Sequence, residues 1–360
     1  MRFVITGGGT GGHVTPALAI AEAIFEKHPN AEAMFIGRKD GKENDAVKQA
    51  GIRICEINVL GIQRKLTVKN VKNIITAAKA VTVSKNIIRD FKPDFVVGTG
   101  GYVSWPVIQA ATKMKIPAFI HESNAYPGLV TRVVGRKCSA VFLNFKEASK
   151  LLAGCKTFVV GNPVRKAMKK TDRSSARRFL GLNNSQILIT SFGGSGGSNT
   201  INECVIEMMR LYKDDNSIRH IHATGHKYYE DYKNLKIPGC TLLPYIDNMP
   251  VLLAASDIVI CRCGAMTLSE IATSRSAAIL IPSPNVTNNH QYKNAKVVVE
   301  NGGAYMLEEK DLTAAKLKNC VDKYISSPSL RNRVSKCIEK FANRDAAERI
   351  RCIIERTVFH

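Results

Sequence analysis

Hydrophobic and polar positions along the 360-residue chain follow a repeating pattern. Short apolar, β-branched runs alternate with longer stretches whose apolar residues recur every three or four positions. That alternation predicts parallel sheets covered by helices. In the first half, strands are expected at 2–6 (RFVIT), 32–36, 95–98, 117–121, 139–143 and 157–160. The pattern breaks at GNPVR, 161–165, where Gly, Asn and Pro together disfavour regular structure, so a hinge is expected there. It restarts with strands at 187–192, 218–223, 240–243, 257–261 and 277–281. Beyond about residue 312 the chain reads as polar helices. In the last of these, Ala342, Ala346, Ile350 and Ile353 recur at helical spacing. The expected fold class is α/β: two Rossmann-like, doubly wound parallel-sheet domains facing across a cleft. Ligands of such sheets sit beyond the carboxyl ends of the strands, and two such sites suit a two-substrate transfer.

Three glycine-rich turns follow predicted strands: Gly7–His13 (GGGTGGH), GGSGGSN at 193–199 and CRCGAMTLSE at 261–270. Each would present backbone N–H groups and a helix N-terminus to an anion. Two of them in the second half, with Ser195, Thr267 and Ser269 beside them, fit a diphosphate held without metal. Gly7, Gly9 and Gly12 also satisfy G-x-G-x-x-G, and Arg38 after the second strand keeps an NADP site open on spacing. His13 and Pro16 stand against that reading, because they fall where a pyrophosphate needs close backbone approach. A helix start favours the neutral imidazole, so His13 suits a general base. Glu270, one turn into its helix, suits the hydroxyls of a ribose.

Composition narrows the classes. Lys and Arg number 52 against 30 Asp and Glu, a net charge of +22. Such a field attracts polyanions. No nucleic-acid motif accompanies it, so an anionic membrane surface or a phosphorylated substrate is the expected partner, and nucleic acid is not. Ten cysteines without a C-x-x-C pair are read as reduced thiols rather than a zinc site. The chain enters MRFVIT directly, without a basic then apolar leader pattern, so no secretory signal is expected. No D-x-D occurs, and no cofactor or essential metal is expected. Stretch 61–92 has eight Lys or Arg and one Asp, with Val71, Ile74, Ile75, Ala78 and Val81 at helical spacing. It suits the surface of an anionic bilayer, with Trp105 nearby to dip into headgroups.

Eight segments together carry a resemblance: TGGGTGGHVTPALAIAEAI, GTGGYVSWP at 98–106, HESNAYPGL at 121–129, VVGNPVR at 159–165, FGGSGGSNTIN at 192–202, YIDNMP at 245–250, CRCGAMTLSEIA at 261–272 and NNHQYKNA at 288–295. In this order, across both halves, they resemble the MurG family, the membrane-associated glycosyltransferases that complete the lipid-linked peptidoglycan precursor in cell-wall synthesis. The resemblance implies the GT-B fold, with residues 1–162 and a returning helix 341–360 forming an acceptor domain, and residues 163–340 binding the donor. It implies inverting transfer of GlcNAc from UDP-GlcNAc to the C4 hydroxyl of undecaprenyl-pyrophosphoryl-MurNAc-pentapeptide. It also implies a peripheral place on the cytoplasmic face of the cell membrane and membership of a cell-wall synthesis complex. Carried over by residue, donor contacts fall on Thr10, Gly11, Gly12, Asn124, Arg165, Ser195, Ile246, Ala265, Met266, Thr267, Leu268, Ser269, Glu270 and Gln291. His13 is the implied base, with Tyr102 and Glu122 on the acceptor side. Cys263 and His290 depart from residues common in the family.

Overall fold

The computed structural model describes residues 1–9, 11–41, 44–59, 68–183, 185–194 and 196–359. The chain divides into two compact units, Met1–Arg165 with Asn343–His360, and Lys166–Ala342.

The first unit runs β1 (Arg2–Thr6), α1 (Gly11–Lys27), β2 (Glu32–Arg38), α2 (Asn44–Gln49), β3 (Arg53–Ile57), α3 (Val68–Phe91), β4 (Phe95–Gly98), α4 (Ser104–Lys113), β5 (Ala118–Glu122), α5 (Leu129–Val134), β6 (Ala140–Leu143) and β7 (Thr157–Val159). Its seven strands are ordered β3-β2-β1-β4-β5-β6-β7, all parallel. Successive side chains on a strand point to opposite faces, and the sequence uses each face differently. Phe3, Phe95, Phe119 and Phe142, one from each of four adjacent strands, line one face; Phe3 stacks on Phe95 at 5.5 Å and Phe119 on Phe142 at 5.8 Å. Ile20 and Ile24 of α1 cover that row with Ile350 and Ile354 of the C-terminal helix, Ala346–Val358. Val4, Ile36, Val96, Ile120 and Val141 form the opposite face, beneath α3 and α4. Each fully buried side chain of this size contributes roughly 2 kcal/mol.

The second unit runs α6 (Lys166–Lys170), α7 (Arg173–Phe179), β8 (Ile187–Phe192), α8 (Asn199–Arg210), β9 (Ile218–Ala223), α9 (His226–Tyr232), β10 (Cys240–Leu243), α10 (Met249–Ala255), β11 (Ile258–Cys261), α11 (Ala265–Ser274), β12 (Ala277–Leu280), α12 (His290–Glu300), β13 (Ala304–Met306), α13 (Ala314–Ser326) and α14 (Pro328–Glu339). Its six parallel strands are ordered β10-β9-β8-β11-β12-β13. Both sheets reverse strand order once, at β1/β4 and at β8/β11.

Two strands were not expected. β3 (RICEI) carries Arg53 and Glu56, and β13 (AYM) is three residues long after Gly302–Gly303; both are edge strands, where the hydrophobic signal is weakest. The last helix starts at Ala346, so Ala342 lies outside it; the buried stripe is Ala346, Ala347, Ile350 and Ile354, with Ile353 partly covered. No helix among the described residues is long and apolar enough to cross a membrane.

Candidate functional site

In the first unit the order-reversal point sets the turn after β1 beside the turn after β4: Gly8 N–H donates to the Gly100 carbonyl at 3.4 Å. His13, in the first turn of α1, donates from Nδ1 to the Gly8 carbonyl at 3.0 Å. A carbonyl can only accept, so Nδ1 carries the proton and Nε2 is the basic nitrogen of the neutral ring. The ring lies over Gly100, at φ +103°, where an added Cβ would stand 2.7 Å from His13 Cδ2 and 3.0 Å from Nε2. Thr99 Oγ1 donates to the His13 carbonyl at 2.6 Å, fixing the helix start from below. Tyr102 packs beside Gly9, and its hydroxyl accepts from Arg38 at 3.1 Å. One nitrogen of Arg38, the residue that left a dinucleotide open, is thus engaged by the tyrosine.

Glu122 is 5% exposed, at the end of β5. Its Oε1 accepts from Asn124 N–H (3.0 Å) and Asn124 Nδ2 (3.1 Å); its Oε2 accepts from Gly128 N–H (2.8 Å) and Thr131 Oγ1 (2.7 Å). One carboxylate thus folds the whole 122–131 loop and seats α5. Beside it the fully buried His121 donates from Nε2 to the Gly161 carbonyl at 3.0 Å. Burial pulls its pKa down to about 4, with the nearby His13 adding a smaller push in the same direction. The partner Gly161 lies forty positions away, so nothing local in the sequence marks His121. Arg165 is exposed at the end of this unit, and Gly12 lies in the first turn of α1. Gly11 begins that helix, and Thr10 lies outside the described residues.

In the second unit the turns after β8 and β11 meet at the order-reversal point. The first is a tight glycine turn, Gly197 N–H donating to the Gly194 carbonyl at 3.0 Å, capped by Ser198 at the start of α8. Ser195 lies outside the described residues. The second leads through Gly264 into α11, whose opening residues Ala265, Met266 and Thr267 carry the amides that a helix leaves without intrahelical acceptors. Leu268 and Ser269 face inward: Leu268 is core, and Ser269 Oγ donates to the Ala265 carbonyl at 3.1 Å. The Leu268 N–H donates to the Gly264 carbonyl at 3.0 Å, so that amide too is turned into the helix. Glu270 is half-buried in the same helix. Gln291 Oε1 accepts from Cys263 N–H (3.2 Å) and Ser283 N–H (2.9 Å), which directs its Nε2 donors the other way. Ile246 is buried in the turn after β10, beside Tyr245, whose ring stacks on His226 at 5.7 Å. Burial pushes the thiols of Cys261 and Cys263 well up, so both stay protonated and neither is a nucleophile. Among the described residues, no group of three His, Cys, Asp or Glu is placed to hold a metal ion.

Comparison with known proteins places this geometry. Residues 3–143 match the glycosyltransferase family 28 N-terminal domain, and residues 188–350 the glycosyltransferase family 28 C-terminal domain. A protein of Thermoanaerobacter sp. (strain X514), named UDP-N-acetylglucosamine–N-acetylmuramyl-(pentapeptide) pyrophosphoryl-undecaprenol N-acetylglucosamine transferase, is 39% identical over 99% of both chains. A protein of the same name from Bacillus cytotoxicus is 37% identical over 97% of both. The crystal structure of Acinetobacter baumannii MurG superposes with a TM-score of 0.78 at 25% identity over 99% of both chains. The UDP-GlcNAc 2-epimerase of Neisseria meningitidis, at 13% identity and a TM-score of 0.71 over 99% of this chain and 100% of that one, shares the fold.

Proposed function

The chain belongs to glycosyltransferase family 28, and from that premise we propose that it transfers GlcNAc from UDP-GlcNAc to the C4 hydroxyl of undecaprenyl-pyrophosphoryl-MurNAc-pentapeptide, inverting the anomeric centre. The observation that carries this reading is the end-to-end 39% identity with a transferase named for that reaction. The second unit, Lys166–Ala342, is the donor domain, and the first, Met1–Arg165 with Asn343–His360, is the acceptor domain; both boundaries fall two or three residues beyond the expected 162/163 and 340/341.

The chemistry follows from the site. The acceptor hydroxyl attacks C1 as UDP departs, and His13 Nε2 takes its proton; the Nδ1–Gly8 hydrogen bond selects the tautomer that can do so. General-base help of this kind contributes about 10²–10⁴-fold. Negative charge grows on the β-phosphate, and the N-terminal amides of α8 and α11 stabilise it. Each well-aimed donor lowers the barrier by about 3 kcal/mol. Glu270 holds the ribose hydroxyls, Gln291 Nε2 the sugar hydroxyls, and the Ile246 backbone the uracil. Peptide dipoles and hydrogen bonds hold the diphosphate, so donor binding persists in EDTA. Arg165, Asn124, Gly11, Gly12, Thr10 and Ser195 complete the donor contacts, with Tyr102 and the Glu122-built loop on the acceptor side.

The enzyme works on a lipid from the cytoplasmic face of the membrane, as a peripheral protein within a cell-wall synthesis complex. α5 supports the first part. Leu129 and Val133 are 63% and 53% exposed, Arg132 is exposed between them, and Arg136 and Lys137 are exposed in the short turn Gly135–Lys137 that follows. In stretch 61–92 the side chains of Val71, Ile74 and Ile75 lie outside the described residues; Ala78 is exposed, Val81 belongs to the core, and Trp105 is half-covered by that core. The reaction is tested by labelled transfer from UDP-GlcNAc to a soluble lipid-linked MurNAc-pentapeptide analogue. Transfer lost in His13→Ala with UDP-GlcNAc affinity kept is expected; no transfer by the native protein overturns the reading.

A further inference from the structure

We propose that Glu309, acting through Arg262, is a positioning residue for the donor's diphosphate. The inference rests on the donor site assigned above to the carboxyl edge of the second sheet. A turn built from Gly193, Gly194, Gly196 and Gly197 has little stiffness of its own, since glycine restrains its backbone least of all residues. Its own Gly197–Gly194 hydrogen bond and the close packing of Gly197 on Thr224 and Gly225 hold one side of it, and a polar knot holds the other, where the turn ends at Ser198.

Arg262 follows β11. Its NH1 donates to the Ile281 and Pro282 carbonyls, both at 3.3 Å, at the end of β12. Its NH2 donates to Ser198 Oγ at 2.6 Å and pairs with the Glu309 carboxylate beyond β13. Glu309 Oε1 also receives Thr200 Oγ1, in the first turn of α8, at 3.5 Å. One guanidinium thereby ties together the segments that follow β8, β11, β12 and β13. The knot closes on Ser198, the residue that caps α8 and ends the glycine turn.

Both partners are largely covered, Arg262 at 12% and Glu309 at 19% side-chain exposure. A guanidinium cannot shed its proton, so a covered one needs its counter-charge and a full set of acceptors. Glu309 supplies that charge through an ion-pair contact with NH2, the nitrogen that donates to Ser198, and so keeps the guanidinium against Ser198 and the two carbonyls. It lies outside all eight motifs that mark the family resemblance, 47 positions beyond Arg262.

The test uses the full chain and two ligands that share the nucleoside but not the phosphates, UDP and uridine, measured by titration calorimetry. A misplacement of the turn by a fraction of an ångström costs Glu309→Gln about tenfold in UDP affinity. Uridine affinity stays unchanged. In turnover, KM for UDP-GlcNAc rises and kcat falls with it, because the displaced α8 amides also face the charge that grows on the β-phosphate, while KM for the acceptor holds. If Glu309→Gln does not fold, the doubly neutral Arg262→Gln/Glu309→Gln variant, which keeps hydrogen bonding without a buried lone charge, shows the same UDP-selective loss. Unchanged UDP affinity overturns the inference, and so does an equal loss of UDP and uridine. Tighter UDP binding overturns it too, because Arg262 would then be a direct ligand that Glu309 restrains. Native protein that binds no UDP refutes the donor site itself, a separate failure.

Discussion

Gly100→Ala tests the placement of His13 without touching the histidine. The new Cβ would stand 2.7 Å from Cδ2 of the ring. Carbon atoms rest about 3.5–4.0 Å apart, so the imidazole has to withdraw by about 1 Å. The backbone is an obstacle as well: at φ +103° an alanine is strained, at a cost of about 1–3 kcal/mol. Two effects follow. A shift of that size in a catalytic group lowers kcat by up to about a hundredfold. Melting shifts down by several degrees, roughly 2–4 °C per kcal/mol for a domain of this size. UDP affinity falls far less than kcat, because uracil, ribose and diphosphate are assigned mainly to Ile246, Glu270 and the α11 amides of the other unit, and only the Gly11–Gly12 contacts lie beside the displaced ring. Single-turnover transfer with excess enzyme reports the chemical step, and calorimetry reports UDP. The decisive comparison is Gly100→Ala in a His13→Ala background. If the glycine works only through the ring, the double variant is no slower than His13→Ala alone. Native turnover in Gly100→Ala, or full additivity in the double variant, refutes the base assignment.

Other outcomes follow from buried groups and exposed charge. His121 and His222 are buried neutral, each with its pKa pulled from 6.5 down to about 4 by loss of hydration. The unfolded chain binds more protons between these values, so their stability contribution is complete above pH 6.5 and shrinks as pH falls toward 4. At pH 5 each costs about 2 kcal/mol relative to pH 7.5; calorimetric melting with no loss between these pH values contradicts the buried neutral state. Glu122→Gln turns an amide NH₂ toward two of the four donors now held by the carboxylate, so stability falls by about 2–3 kcal/mol in denaturant titration. KM for the acceptor rises with it; an unaltered midpoint and KM remove the carboxylate as organiser of the 122–131 loop. Replacing Arg132, Arg136 and Lys137 by Gln weakens binding to phosphatidylglycerol vesicles on the order of a hundredfold, at about 1 kcal/mol per charge. Sedimentation that ignores both the substitutions and added salt rules out the electrostatic account.

Much of this architecture is legible in the residues, and the exceptions share a cause. Central strands such as FVVG and AAIL are continuous apolar runs because both of their faces are covered, and their positions read directly. Edge strands β3 and β13 are half-solvated or short, so RICEI and AYM carry no such run. The glycine turns and His13 are visible because a phosphate-facing backbone restricts residue type within a few positions. Glu122 looks in the sequence like a group for substrate, yet its lone pairs are occupied by its own loop. Long-range partnerships leave no local trace: Arg262 with Glu309, or Ser191 Oγ set 2.7 Å from both His220 and His222 in the second core. They exist only once strands distant in sequence are neighbours in the sheet.

The helix Ala346–Val358 has a bearing on how the molecule comes into being. It lies against α1, where His28 Nε2 meets the Glu355 carboxylate at 2.7 Å and Ile350 and Ile354 complete the phenylalanine row. The unit that begins at Met1 therefore cannot be finished until residues beyond 345 have been synthesised, whereas Lys166–Ala342 is contiguous and has all its parts earlier. During translation, the part of the phenylalanine row that Ile350 and Ile354 cover waits exposed beside α1 while the entire intervening unit is made. Birth order and completion order of the two units are thus reversed, and a chain cut short before the last helix leaves the earlier-made unit, rather than the later, with a greasy flank open to chaperones and proteases.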